Sequence, residues 1–374
     1  MRSPEMDVYL NRLARLITDY SLEIKEGQLV GITGSPLAEP LVKALYRSML
    51  ERGAHPYPRV WLPGMAEIFY RVARDHQIAH VSLIDKVLVE KLDAWVTIES
   101  SPNTRSLSRI PSEKISQRQR AQKRLFEKCL EREGRGELKM CGTIVPTNAY
   151  AQDAEMSLDA FSDLLFRACG VLGEDVIGFW RKVSREQSRM VEFLKGKKKV
   201  RIRGLDTDLA FSIEGRRFVN CDGRENLPDG EIFTSPIEDS VEGRIRFTYP
   251  VCEGGREIED IYLEFKGGVV VEAKARKGED YLLRMLDTDE GARRVGEFGI
   301  GNNPGVDRFT RAILFDEKIR GTIHIALGHS IPESEGKNKS AIHWDLICDL
   351  RKGGEVLVDD RLFIRDGKFS MAGS

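Results

Sequence analysis

Two of the six histidines in this 374-residue chain lie nineteen residues apart, each inside a run that reads as a β-strand: Gly321-Thr-Ile-His-Ile-Ala-Leu-Gly and Ile342-His-Trp-Asp-Leu-Ile. Successive strand side chains point to opposite faces, so His324 shares a face with Thr322, Ala326 and Gly328, while Ile323, Ile325 and Leu327 take the other. In the second run His343 and Asp345 share a face roughly 7 Å apart, opposite Ile342, Trp344 and Leu346. An imidazole and a carboxylate so placed could both bind one metal ion, or two close ones. The alternative is a hydrogen-bonded His343–Asp345 pair beside a satisfied core His324.

Two acidic positions stand among turn residues. Glu231 follows Asn226-Leu-Pro-Asp-Gly, and Glu297 lies in Val295-Gly-Glu-Phe-Gly-Ile-Gly-Asn-Asn-Pro, where glycines allow the backbone to approach a ligand closely. Taken alone, a glutamate beside glycines is an exposed side chain.

The elements that must position these residues fall into two halves. From the N-terminus, helical stripes alternate with short apolar runs: a helix over 6–22, Gln28-Leu-Val-Gly-Ile-Thr-Gly, a helix over 39–52, strands near 58–62, 93–98 and 139–145, and helices over 65–90, 111–133, 157–168 and 173–194. That alternation predicts an α/β N-terminal domain with a mostly parallel sheet over 1–197. After Lys195-Gly-Lys-Lys-Lys the chain reads as strands, with one helix near 279–290. A β-rich α+β C-terminal domain, carrying the candidate metal-binding residues, is expected over 198–374.

Composition narrows the function. Hydrophobic residues make up 41% and charged residues 31%, as in a soluble globular protein, and 58 Lys plus Arg nearly balance 59 Asp plus Glu. No bulk field draws the chain to nucleic acid or an anionic membrane. The turn Thr33-Gly-Ser-Pro-Leu-Ala lacks both phosphate-binding glycine patterns and reads as an ordinary strand-to-helix turn. The basic run Arg118–Arg124 reads as a solvated helix face. The N-terminus lacks the apolar core of a signal peptide, no apolar run approaches a membrane span, and the six cysteines form no C-x-x-C pair. The expected compartment is the cytoplasm.

Five segments in order, Asn226-Leu-Pro-Asp-Gly-Glu-Ile-Phe-Thr-Ser-Pro, Gly296-Glu-Phe-Gly-Ile-Gly-Asn-Asn-Pro, Leu314-Phe-Asp-Glu, His324-Ile-Ala-Leu-Gly and Ile342-His-Trp-Asp, resemble the aminopeptidase T family of cytoplasmic metallo-aminopeptidases. The resemblance implies two divalent metal ions held by Glu231, Glu297, His324, His343 and Asp345, short peptide substrates and a homodimer. Two imidazoles and three carboxylates suit Zn²⁺ or Co²⁺, and such an oxygen-rich set without thiolate also admits Mn²⁺ or Mg²⁺. On this reading a metal-bridged water attacks the first peptide bond. Glu317, in Leu314-Phe-Asp-Glu, is the candidate proton shuttle.

One position departs from the family pattern. Several members carry a tyrosine seven residues after the first histidine, and here Ile331 stands there, unable to donate a hydrogen bond or a proton. His329 is close by, but its side chain would face away from His324 if the strand continued. Two rival readings follow. His324, His343 and Asp345 alone form the two-histidine, one-carboxylate set of a mononuclear Fe(II) ring-cleaving oxygenase, which leaves Glu231 and Glu297 without a role. The other rival is a non-catalytic metal-binding homologue.

Overall fold

The computed structural model describes residues 4–253 and 256–370. The chain forms two compact units: one holds the residues through Phe179 together with Gly223–Pro228, the other Trp180–Asp222 and the residues from Asp229 onward.

The first unit is α/β, as the alternation of elements predicts. Its five strands run in the order His55–Val60, Leu29–Gly34, Ala94–Glu99, Lys139–Ile144 and Asn226–Leu227, every pair parallel. Val30, Ile32, Val96 and Ile98 are buried in the central strands, whereas the edge strand carries Pro56 and Pro58, residues that cannot donate to a ladder. The helix Glu39–Glu51 returns the chain along the sheet. It buries Leu41, Val42, Leu45 and Met49 at helical spacing and takes Pro40 in its first turn, where no amide hydrogen is needed.

The turn over 33–38 is internally satisfied: Ser35 donates its amide to Ser100 Oγ and its hydroxyl to the Ser100 carbonyl, and Ser35 Oγ accepts from the Leu37 amide. The charged helix Ser112–Gly134 uses two of its arginines as braces. Arg118 donates to the carbonyls of Ile78 and His80, and Arg132 to those of Val89 and Leu92.

The second unit is strand-rich and antiparallel. A nine-stranded sheet includes Lys199–Gly204, Thr207–Ser212, Glu242–Phe247 and Arg256–Lys266. A five-stranded sheet runs in the order His343–Asp349, Thr322–Gly328, Val295–Gly301, Glu231–Thr234 and Val219–Cys221. Below, the first four of these are called the Asp345, His324, Glu297 and Glu231 strands.

Ile232, Phe298, Ile300, Ile323, Ile325, Leu327, Trp344 and Leu346 form one face of the smaller sheet and share a core with Val200, Ile202, Leu209, Phe211, Ile245 and Leu263 of the larger. Phe211 meets Phe298 edge to face, ring centroids 5.0 Å apart. Because side chains alternate, locking this apolar face inward commits every intervening residue to the opposite face. Those intervening residues include the five acidic and histidine positions above. No helix among the described residues is long and apolar enough to cross a membrane.

Candidate metal centre

Strand register assembles the site. Gly299 lies opposite His324, which lies opposite Ile347, and Ala326 stands between Glu297 on one side and Asp345 on the other. Gly328 lies opposite His343, and Gly301 opposite Glu231. Glycine or alanine thus stands beside each of these side chains, with Ile347 and Phe233 as larger neighbours on the same face. Four adjacent strands therefore deliver two imidazoles and three carboxylates into a hollow rather than onto a filled surface.

The five residues meet. His324 Nε2 lies 3.1 Å from Glu297 Oε1 and 3.2 Å from Glu231 Oε2. His343 Nε2 lies 3.7 Å from Glu297 Oε2 and 3.7 Å from Asp345 Oδ2. Glu297 therefore turns one oxygen toward each imidazole. Glu231, Glu297 and His324 are buried, while the His343 side chain is 31% exposed, so the cluster opens to solvent along the His343 edge.

Each imidazole is set by a specific contact. His343 Nδ1 lies 2.8 Å from the His329 carbonyl oxygen. A carbonyl only accepts, so Nδ1 carries the proton and Nε2 keeps its lone pair for the cluster. The contribution of His329 is thus its main chain, which the alternation argument about its side chain does not reach. His324 owes its place to an absence: a Cβ on Gly299 would stand 1.9 Å from its Nε2. The start of the Glu231 strand is held by buried Gln187, whose Nε2 donates to the carbonyls of Glu231 and Cys221 at 2.9 Å each.

Glu317 ends the short helix Ile313–Asp316 and reaches the same cluster: a ligand atom from each of Glu317, His324 and Asp345 lies within 4.8 Å of the others. Beside it is a residue that sequence reasoning passed over. The Lys318 ammonium is buried, 2.7 Å from Glu231 Oε1, in contact with Glu317 and 3.9 Å from Asp229 Oδ1. In sequence, Lys318 is one of many charged residues in a turn. The available signal was its position directly after an acidic residue of a site motif.

The electrostatics record a crowd of buried carboxylates. Burial pushes Glu231 up to about 8 even against the pull of Lys318, and burial with neighbouring carboxylates pushes Asp345 up to about 6 despite His343. His324 shows the complement. Burial opposes its charge, yet Glu231 and Glu297 together raise it to about 10. Glu317 is held below the ordinary carboxylate range by Lys318 and His324 in spite of its burial.

The four carboxylates Glu231, Glu297, Glu317 and Asp345 share this cluster with one ammonium, that of Lys318. Glu231 Oε2, Glu297 Oε2, Asp345 Oδ1 and His324 Nδ1 are buried and make no hydrogen bond. Buried polar atoms left unpaired cost about 1–3 kcal/mol each, more when charged, so three such carboxylate oxygens in one hollow fit divalent metal binding. Two groups close enough to share an ion, Glu231 with Glu297 and His324, and Glu317 with His324 and Asp345, adjoin through His324. All donors are nitrogen or oxygen. Ile331 brings nothing to this chemistry: its carbonyl accepts from the Ser334 amide and hydroxyl, and its side chain has no proton to give.

Comparison with known proteins agrees with the geometry. A sequence model of the family described as "Thermophilic metalloprotease (M29)" matches residues 6–369. Aminopeptidase T of Thermus aquaticus is 28% identical over 389 residues, covering 90% of this chain and 91% of that protein. Aminopeptidase 2 of Geobacillus stearothermophilus is 26% identical, covering 90% and 91%. Among solved structures, wild-type AmpT from Thermus thermophilus superposes with a TM-score of 0.84 at 25% identity, covering 97% of this chain and 99% of that one. A 2,5-dihydroxypyridine dioxygenase from Pseudomonas putida superposes with a TM-score of 0.62 at 15% identity, covering 98% of each, a likeness of fold alone.

Proposed function

This chain belongs to the M29 family of thermophilic metalloproteases, and from that premise we propose that it is a metal-dependent aminopeptidase whose centre is the cluster on the five-stranded sheet. The observation that carries this reading is the convergence of Glu231, Glu297, His324, His343 and Asp345 on one hollow, with buried carboxylate oxygens left without hydrogen bonds. These five residues would hold two divalent ions, Zn²⁺ or Co²⁺ before Mn²⁺ or Mg²⁺. Glu297 turns one oxygen toward each imidazole and would contribute both to that set.

Bound there, the ions would supply Lewis-acid polarisation of a peptide carbonyl and lower the pKa of a water molecule. The protein's own groups supply the rest. Glu317 is ionised beside Lys318 and close to His324 and Asp345, so it can accept a proton from the attacking water and return it to the departing amine. Hydrolysis then consumes one water and releases one amino acid and the shortened peptide. The substrate enters along the exposed His343 edge, and a carboxylate of the cluster accepts from its α-ammonium, which restricts cleavage to the first bond.

A mononuclear iron oxygenase would need only His324, His343 and Asp345. The inclusion of Glu231 and Glu297 in the same cluster favours the dinuclear reading. We further propose cytoplasmic short-peptide turnover by a homodimer. The six cysteines form no C-x-x-C pair, a pattern in keeping with a reducing compartment. The apolar side chains of Val60, Trp61, Leu62, Met65, Ile68 and Val72 stand exposed in the single chain, a surface that a second copy would cover.

Metal analysis and peptide turnover test the proposal together. The expected result is two metal ions per chain and release of N-terminal residues from a peptide panel, abolished by chelation and lost in His343→Ala. One iron per chain would favour the oxygenase. Full metal loading with no release from any peptide would overturn the aminopeptidase assignment.

A further inference from the structure

The mechanism above assigns no task to Lys318, a charge almost wholly buried in the second unit. Lys318 is 1% exposed, and its surroundings explain how a lysine comes to be there. The turn carrying it lies directly over the end of the Glu297 strand. The Asn303 amide donates to the Lys318 carbonyl at 3.0 Å, and Asn303 and Ile319 form a parallel bridge. A Cβ on Gly301 would stand 2.2 Å from the Ile319 carbonyl oxygen and 2.9 Å from that of Glu317, so only glycine lets the turn come this close. Gly301 is paired with Glu231. The register that brings the turn down onto Gly301 thus also brings the Lys318 ammonium to the Glu231 carboxylate.

The contacts are selective by atom. Lys318 Nζ donates to Glu231 Oε1 at 2.7 Å, while Glu231 Oε2 makes no hydrogen bond and sits 3.2 Å from His324 Nε2. The same ammonium contacts Glu317 Oε1. One cation therefore grips a candidate metal ligand and the candidate proton carrier. Cys221, Asp229 and Glu231 form a third group close enough to share an ion, and the Lys318 ammonium already lies against it, 3.9 Å from Asp229 Oδ1.

We propose that Lys318 is a positioning residue: its ammonium fixes Glu231 by Oε1 so that Oε2 alone is offered to the metal centre, and it holds Glu317 beside that centre. This rests on the metal-centre reading given above. The competing role is charge balance, in which any arrangement restoring neutrality would serve equally well. The two roles separate because positioning depends on the hydrogen bond to one particular oxygen, whereas balance depends on the sum of charges.

The test uses the full chain and Co²⁺ as the probe. Two variants are compared with wild type: Lys318→Met, and Lys318→Met combined with Asp229→Asn, which removes one positive and one negative charge together. Cobalt affinity is measured by competition with a chelating dye, coordination by the visible absorption spectrum, and folding by thermal unfolding without metal. Residues that orient metal ligands typically account for about 10–100-fold in affinity. The expected result is a loss of that size in both variants, with an altered cobalt spectrum, even where the double variant unfolds at the wild-type temperature. Peptide turnover in the double variant should fall in kcat with KM little changed, because Glu317 is no longer held.

A double variant with wild-type affinity and spectrum would overturn the positioning role and leave charge balance as the function of Lys318. Wild-type protein that fails to bind Co²⁺ stoichiometrically would instead overturn the metal-centre reading, and with it the role assigned to Lys318.

Discussion

Replacing Gly299 by alanine tests whether the hollow in the five-stranded sheet exists to receive the His324 imidazole. The backbone at Gly299 is an ordinary strand pairing with His324, so the substitution carries no conformational penalty of its own and acts through space alone. The added Cβ would stand 1.9 Å from Nε2, 2.0 Å from Cε1 and 2.8 Å from Cδ2, against roughly 3.5–4.0 Å for ordinary carbon contact. The ring must withdraw by more than about 1 Å, and metal–ligand distances tolerate only about ±0.2 Å. His324 is fully buried, so the displaced ring has no solvent-filled space to enter. Overpacking of this kind costs about 1–3 kcal/mol in stability. The loss at the site should be larger in proportion, because a misplacement of about 1 Å costs on the order of 100-fold in catalysis. We expect Gly299→Ala to fold, with a metal-free unfolding temperature lowered by several degrees, and to lose about 100-fold in Co²⁺ affinity and in kcat/KM for a leucyl peptide. Competition titration and steady-state turnover measure both. Wild-type metal affinity and turnover within about threefold in a folded variant would refute the geometry, since two atoms cannot occupy the same space.

Two further outcomes follow. Glu317→Gln should keep both metal ions and lose about 10²–10⁴-fold in kcat, the usual contribution of a proton-transferring group, and unchanged kcat with full metal content would remove Glu317 from the mechanism. Asp349 gives a pH signature distant from the centre. Burial would raise its carboxyl, but the two-point hydrogen bond from Arg351, with contacts at 2.9 and 2.7 Å, holds it below the ordinary range. A carboxyl depressed in the folded state contributes stability that is fully present above its unfolded pKa of about 3.9 and is lost as pH falls through the folded value. The stability gap between wild type and Asp349→Asn should therefore be constant from pH 7 to about 5 and shrink below about 4. A gap that widens on acidification would contradict the assignment.

The parts of this molecule that were legible in sequence are those governed by period. Alternation in Thr322–Gly328 and His343–Asp349 placed His324, His343 and Asp345 on one face because the opposite residues are large and apolar and had to be buried. Strand–helix alternation gave the parallel sheet for the same reason. What period cannot give is registration between strands. That Gly299 sits opposite His324, or that Ala326 separates Glu297 from Asp345, depends on hydrogen-bonded pairing and on a bulge between Val295 and Glu297. Glu231 and Glu297 could be tied to the histidines only through a family resemblance, since nothing in their own neighbourhoods distinguishes a ligand from an exposed glutamate beside glycines. Lys318 offered only its place directly after an acidic residue of a site motif, because its burial results from a turn packing on a distant glycine.

A sheet with one apolar face and one face of small residues provides a rigid floor, and a floor does not by itself choose a chemistry. His324, His343 and Asp345 alone are a donor set that one iron ion could occupy. The choice is made by the neighbouring Glu297 and Glu231 strands. Glu297 lies two residues from Gly299 on the same face, so the strand that makes room for the first imidazole also supplies the carboxylate that reaches both. Glu231 enters from the next strand, paired with Gly301, and brings the turn containing Glu317 and Lys318 with it. Gly299 thus makes room for the His324 imidazole, and Gly301 admits the turn that brings Glu317 and Lys318 to the cluster. On the dinuclear proposal, the carboxylates of this cluster would be satisfied by two divalent ions and one fixed ammonium, and this charge requirement, more than the backbone trace, would separate a dinuclear hydrolase from a mononuclear site on the same sheet.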